Sequence, residues 1–234
     1  MRILAGTSGF SYPEWKGGFY PEDVKTAGML AYYASRLPAV EINNTFYKLP
    51  KRELLEGWAA QVPAEFSFVL KASQRITHMA RLDPDKARQP LEYLWQAAGA
   101  LGERLGPILF QTPPNLKPDH DRLRGFLALL PAGMRGAFEF RHPGWHDPAV
   151  LEMLRGVGAA WCIAEDDDTE GTPPVEATAD WGYLRLRRNQ YSPAELAAWA
   201  GRVAAQPWQD AWVFFKHEAA GCPPITALEF LARI

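Results

Sequence analysis

Short apolar runs recur along the chain at intervals that fit a strand followed by a helix: Ile3–Ala5, Ala39–Ile42, Phe66–Leu70, Ile108–Phe110, Ala137–Phe140, Ala160–Ala164, Tyr183–Leu186 and Trp212–Phe215. Between most of them the apolar positions switch to helical spacing, over Met29–Leu37, Arg52–Val62, Leu91–Leu105, Asp121–Leu130, Pro148–Arg155, Pro193–Ala204 and Ile225–Arg233. Strands that alternate with helices predict a parallel sheet. Eight such units, with no Gly-x-Gly-x-x-Gly after the first strand, favour a closed (β/α) barrel of TIM type over an open dinucleotide-binding sheet. The stretch Glu165 to Asp180, rich in Asp, Thr and Pro, has no helical period, so the helix after strand six is expected to be degenerate or missing.

The connections are uneven. Helix-to-strand links such as Leu37-Pro38 and Leu105-Gly106-Pro107 are short, whereas most strand-to-helix links are long. Insertions therefore crowd the C-terminal ends of the strands, the face on which barrels build their sites. Side chains alternate along a strand, so in Val40-Glu41-Ile42-Asn43 the apolar pair suits the helix side and leaves Glu41 and Asn43 facing the lumen. The same parity turns Glu139 and Arg141 inward from strand five, and Tyr183, Arg185 and Arg187 from strand seven. Lys71, Gln111, Asp166 and Lys216 sit at or just past the ends of four other runs.

These inward charges change how the composition reads. With 234 residues, 47% hydrophobic and a formal net charge of −2, the chain suits one large core in one domain and lacks the bulk positive charge of a protein that coats nucleic acid or membrane. The mouth differs: Glu41, Glu139 and Asp166 face Lys71, Arg141, Arg185, Arg187 and Lys216, an excess of two positive charges. Such a mouth attracts anions. Glu41 and Glu139 are candidate acid/base residues, one ionised beside arginine and the other raised toward neutrality by an apolar wall, with Lys71 beside them. The competing reading is a salt-bridge network that merely plugs the lumen.

The mouth loops add polar groups. After strand one, Gly6-Thr7-Ser8-Gly9-Phe10-Ser11-Tyr12 and Trp15 combine glycine, hydroxyls and rings, so Ser8, Tyr12 and Trp15 are candidate ligand contacts, alternatively a packed lid. The run Glu41-Ile42-Asn43-Asn44-Thr45-Phe46-Tyr47-Lys48 is the strongest local signal, with Asn43, Asn44 and Tyr47 as hydrogen-bonding groups. His78 and His142 stand beside cations after strands three and five. A metal would need His78, His142, His146 and His217 with Glu139 or Asp166, but no spaced ligand motif occurs, so no metal site is assigned. There is no organic-cofactor motif and no Gly-x-Ser-x-Gly elbow. Cys162 and Cys222 read as reduced thiols, and no run spans a membrane or marks export, so a cytoplasmic protein is expected. Oligomeric state leaves no mark in the sequence.

Taken together, Gly6-Thr7-Ser8-Gly9-Phe10-Ser11-Tyr12, Phe19-Tyr20-Pro21, Val40-Glu41-Ile42-Asn43-Asn44-Thr45-Phe46-Tyr47, Lys71-Ala72-Ser73, Ile76-Thr77-His78, Gly106-Pro107-Ile108-Leu109-Phe110-Gln111 and Glu139-Phe140-Arg141-His142 resemble the YecE-like family, domain of unknown function 72. The resemblance implies a TIM-barrel-like fold without an assigned reaction. Its architecture is similar to abasic-site endonucleases and xylose isomerase, an analogy that implies sugar-phosphate or nucleic-acid chemistry. The chain departs from the family where Arg185-Leu186-Arg187-Arg188 replaces the usual Arg-Leu-His-Gly, and where Phe215-Lys216-His217 replaces Phe-Asn-Asn. Both changes add fixed positive charge. The expectation is an enzyme, a hydrolase, lyase or isomerase, acting on an anionic, phosphorylated-sugar-like small molecule by glutamate acid/base chemistry. The rival expectations are a nucleic-acid-binding or repair protein and a non-catalytic anion-binding module.

Overall fold

The computed structural model describes residues 1–216 and 223–234, so His217 and Cys222 lie outside the described residues. Eight parallel strands, β1 (Arg2–Ser8), β2 (Ala39–Ile42), β3 (Ser67–Lys71), β4 (Leu105–Gln111), β5 (Gly136–Glu139), β6 (Ala160–Glu165), β7 (Trp181–Leu186) and β8 (Asp210–Phe215), pair in chain order and close as β8 meets β1. The helices are α1 (Met29–Ala34), α2 (Asn44–Tyr47), α3 (Arg52–Ala59), α4 (Pro84–Ala98), α5 (His120–Leu127), α6 (Pro148–Gly156), α7 (Pro193–Ala204) and α8 (Pro223–Leu231). No helix among the described residues is long and apolar enough to cross a membrane.

Strand alternation divides the core in two. Leu4, Ala39, Val69, Leu109, Ala137, Cys162, Tyr183, Trp212 and Phe214 fill the lumen, while Val40, Phe68, Leu70, Phe110, Phe138, Leu184 and Val213 pack outward against the helices. The lumen floor is closed by Trp181 and Trp212, whose rings meet edge to face at 5.7 Å, and the Trp212 Nε1–H donates to Ser67 Oγ at 3.0 Å. Higher up, β1 passes so close to β2 that a Cβ on Gly6 would lie 1.9 Å from the Ala39 carbonyl oxygen. Only glycine fits there. The buried Tyr33 hydroxyl ties the same junction, accepting from the Thr7 amide at 2.8 Å and donating to the Ala39 carbonyl at 3.0 Å.

Residues 166–180 contain no helix, so β6 returns to β7 through an irregular loop, as the missing period predicts. Helix α4 differs from its predicted start at Leu91. Asp83 accepts from the Asp85 and Lys86 amides at 3.1 and 3.2 Å, Pro84 opens the first turn, and Pro90 is absorbed within the helix rather than preceding it. Strand β1 also outruns its predicted end at Ala5, because Gly6, Thr7 and Ser8 pair with β2 and the first two of them with β8 as well.

Candidate functional site

At the top of the lumen one arginine holds two acids. Arg185 is buried and its guanidinium donates from one terminal nitrogen to Glu139 Oε2 at 2.6 Å and from the other to Glu41 Oε1 at 2.9 Å. The remaining carboxylate positions are occupied as well. Glu41 accepts from Tyr183 Oη at 2.6 Å, Ser8 Oγ at 2.8 Å and Asn43 Nδ2 at 3.3 Å, and Glu139 accepts from Gln111 Nε2 at 2.8 Å.

This geometry corrects the expectation that one glutamate would be raised toward neutral pH. Burial pushes both carboxyls up, but the Arg185 charge and the hydrogen bonds outweigh it, holding Glu41 below its ordinary value and bringing Glu139 down to about 2. Neither is a proton donor near neutral pH, and neither has the basicity of a good general base. The same field acts in reverse on Tyr183, where burial and the neighbouring Glu41 charge push the phenol well up. Cys162 below is likewise raised, chiefly by burial, and stays a thiol.

Lys71, at the end of β3, is the group left over. It has no ion pair or hydrogen-bond acceptor among the described residues, and its ammonium rests 4.4 Å from the centre of the Phe46 ring. Burial and the Arg185 charge bring its pKa down to about 8, against the opposing pull of Glu41 and Glu139. His78 meets the same Phe46 ring edge to face, ring centres 4.8 Å apart, with Nδ1 2.9 Å from Thr77 Oγ1. Partial burial, followed by the charges of Lys71 and Arg141, lowers its pKa and favours the neutral ring. It stands on a π-helical turn, Arg75–Met79, a backbone form concentrated at functional sites.

On the β5–β7 side the mouth opens into a cavity of about 330 Å³, walled by Glu139, Arg141, His146, Trp161, Asp166 and Arg187 together with Pro173 and Pro174 of the helix-free loop. Arg187 reaches Asp166 only at 3.6 Å, and its Nε is buried without a hydrogen-bond partner. Arg141 has no ion pair among the described residues. Its amide donates to Thr112 Oγ1 at 3.4 Å while its side chain is exposed. Trp161 carries no sequence signal that marks it as a site residue, and His146 stands in the sequence only as a possible metal ligand.

Other predicted contacts lie elsewhere. Trp15 is 4% exposed, packed with Tyr12, Phe19 and Tyr20 in the core cluster that includes Met29, Leu30 and Tyr33 of α1, so its ring offers no face to a ligand. Tyr12 donates to the Ser8 carbonyl at 3.0 Å. His142 spends Nδ1 on the Gly144 amide, and Lys216 reaches Asn189 Oδ1 at 3.4 Å, away from the mouth cavity. Asn44 faces a separate cleft beside Trp58, and Tyr47 points outward from the rim. Asn43 Oδ1 is buried without a partner. Among the described residues no three His, Cys, Asp or Glu side chains converge as a metal site, and His146 instead meets Glu176 at 2.9 Å.

The family model for the protein of unknown function DUF72 matches residues 4–234. The chain belongs to the DUF72 family. A DUF72 family protein from Thermotoga maritima superposes with a TM-score of 0.84 at 26% identity, covering 99% of this chain and 98% of that one. A second, from Enterococcus faecalis, gives 0.80 at 19% identity, covering 99% and 94%. In sequence, the UPF0759 protein YecE of Escherichia coli K12 is 31% identical over 145 residues, 60% of this chain and 49% of that protein. The UPF0759 protein YunF of Bacillus subtilis is 25% identical over 140 residues, 57% and 50%. The match thus spans about half the length of these two curated relatives.

Proposed function

We propose that the mouth cavity binds the anionic group of a small molecule, a phosphate or carboxylate, between Arg187 and Arg141. The observation that carries this reading is the Arg187 Nε, buried in the cavity region with no acceptor, beside an Arg141 without an ion pair. An unsatisfied buried donor on a cation costs free energy that an oxyanion would recover. Glu41 and Glu139 both pair with Arg185, and the net charge of −1 on that trio offsets only part of the positive charge of Arg187, Arg141 and Lys71. Lys71 takes the proton-transfer role first assigned to the glutamates, because its partly buried amine has no acceptor among the described residues, lies in the field of Arg185, Glu41, Glu139 and Arg187, and gains a neutral fraction just above physiological pH.

Calorimetric titration with inorganic phosphate and with glucose 6-phosphate at low ionic strength tests the binding step. Charge-assisted hydrogen bonds are worth about 1.5–3 kcal/mol, so Arg187→Gln should weaken phosphate by roughly 10- to 150-fold. Absence of binding to either probe, or affinity indifferent to both Arg187→Gln and Arg141→Gln, would reject the site. Salt should weaken binding, since the attraction is screened at the open side of the cavity.

A further inference from the structure

We infer that a groove on the outer rim, between the β2 and β3 loops and α4, is a binding site for single-stranded nucleic acid. It is distinct from the mouth cavity and does not rest on the reading given to it. The groove measures about 720 Å³, more than twice the 330 Å³ of the mouth cavity, and three cations line it: Lys48, Arg75 and Lys86. None of its lining residues is acidic. Lys48 and Arg75 make no ion pair among the described residues, and Lys86 has only a solvent-exposed contact with Asp83 at 3.6 Å. In a chain of net charge −2, three cations around one concavity, two of them without an ion pair among the described residues, are a local concentration of positive potential.

The same groove gathers exposed rings and apolar surface. Tyr47 is 73% exposed, Met79 65% and Tyr93 46%, and all three line it. Cations track a phosphate backbone while aromatic faces stack unpaired bases, the combination that single-strand sites use. Paired bases keep their faces within the duplex stack, and an acidic peptide would satisfy the cations but leave the rings without stacking partners.

A third observation comes from the backbone. After the π-helical turn that carries Arg75 and Met79, Arg81 and Leu82 adopt positive φ values of 55° and 60° in succession. Left-handed geometry in two consecutive non-glycine residues is costly and is retained where the surroundings enforce it, commonly at functional sites. Here the Arg81 guanidinium anchors it, donating to Asn115 Oδ1 at 3.2 Å and to the Asn115 carbonyl at 3.0 Å. The groove also explains Tyr47 and Lys48, which the mouth does not use.

Fluorescence anisotropy with labelled oligothymidylate, repeated across a salt series, provides the test. The wild-type protein should bind, and the variant Lys48→Gln/Arg75→Gln/Lys86→Gln should flatten the slope of log K against log salt by about 2, from three phosphate contacts at about 0.7 each. Tyr47→Ala and Tyr93→Ala should each weaken binding by roughly 5- to 150-fold at fixed salt, the effect of losing one stacked base. All five side chains are exposed, so the fold tolerates these changes. The inference is overturned if the intact protein does not bind at low salt, if the triple variant keeps the wild-type slope, or if neither tyrosine matters. It is equally overturned if polyglutamate or duplex DNA of matched charge binds as well, or if Arg187→Gln abolishes binding while the groove is intact, which would place the contact in the mouth.

Discussion

Replacing Arg185 by Met removes the guanidinium that pairs Glu41 at 2.9 Å and Glu139 at 2.6 Å while keeping most of the side chain's length. Both carboxylates then remain buried with no cation of their own. Breaking a buried ion pair from one side typically costs about 3–5 kcal/mol, because the partner left behind stays desolvated. The pH dependence is the more discriminating measurement. In the wild type, the Glu139 pKa falls from 4.5 to about 2 on folding, a difference worth about 3 kcal/mol. That stability is fully present above pH 4.5 and is lost as the pH falls through about 2. In the variant, burial becomes the dominant influence and raises both carboxyls, so the sign reverses: protonation relieves the fold and these groups gain stability on acidification. Urea unfolding followed by circular dichroism at pH 7 and pH 5 should therefore find Arg185→Met markedly less stable than wild type at pH 7, with the deficit shrinking at pH 5. Adding Glu41→Gln and Glu139→Gln should recover much of the loss. A variant that loses less than about 1 kcal/mol, or whose deficit grows on acidification, would refute the assignment of these charges as one coupled unit.

Lys71 should show the opposite linkage. Its folded pKa is lowered from 10.5 to about 8, so the ammonium is held at a cost at pH 7 and stability rises between those values as the amine is released from its charge. Lys71→Met should therefore stabilise the neutral protein by up to about 3 kcal/mol and remove that rise, as urea melts at pH 7 and pH 10 would show; destabilisation at pH 7 would mean that the ammonium has an acceptor. Gly6→Ala should cost about 3 kcal/mol, at the upper end for overpacking, since its Cβ would sit 1.9 Å from the Ala39 carbonyl. A thermal melt within a degree or two of wild type would contradict the close approach of β1 to β2.

The barrel was legible because period and parity are local properties. Val40-Glu41-Ile42 announces both a strand and its inward residue, and the polar stretch after Glu165 announces a connection without a helix. Helix α4 was misread at its start because Pro90 looks like a boundary until Asp83 and Pro84 are seen to cap and open the helix two turns earlier. The inward charges were also visible, but their pairing was not. Which cation takes which acid depends on reach across the lumen: Arg185 on β7 spans to β2 and β5, some 140 and 46 residues away in sequence. No local pattern carries that information. Trp15 shows the same limit from the other side, since an aromatic loop reads alike whether its rings cover the barrel or line a pocket until Phe19 and Tyr20 close around it.

The reach of Arg185 has a mechanical consequence. By joining β2, β5 and β7 through one rigid planar group, it acts as a three-way strut across the ring of strands, and a strut of fixed span sets the aperture above it. Adaptation to different occupants then falls to the surrounding loops, above all the proline-bearing segment between β6 and β7, while the frame keeps one diameter. With the lumen beneath Arg185 filled by side chains down to the two tryptophans, the aperture opens on one face of the barrel only.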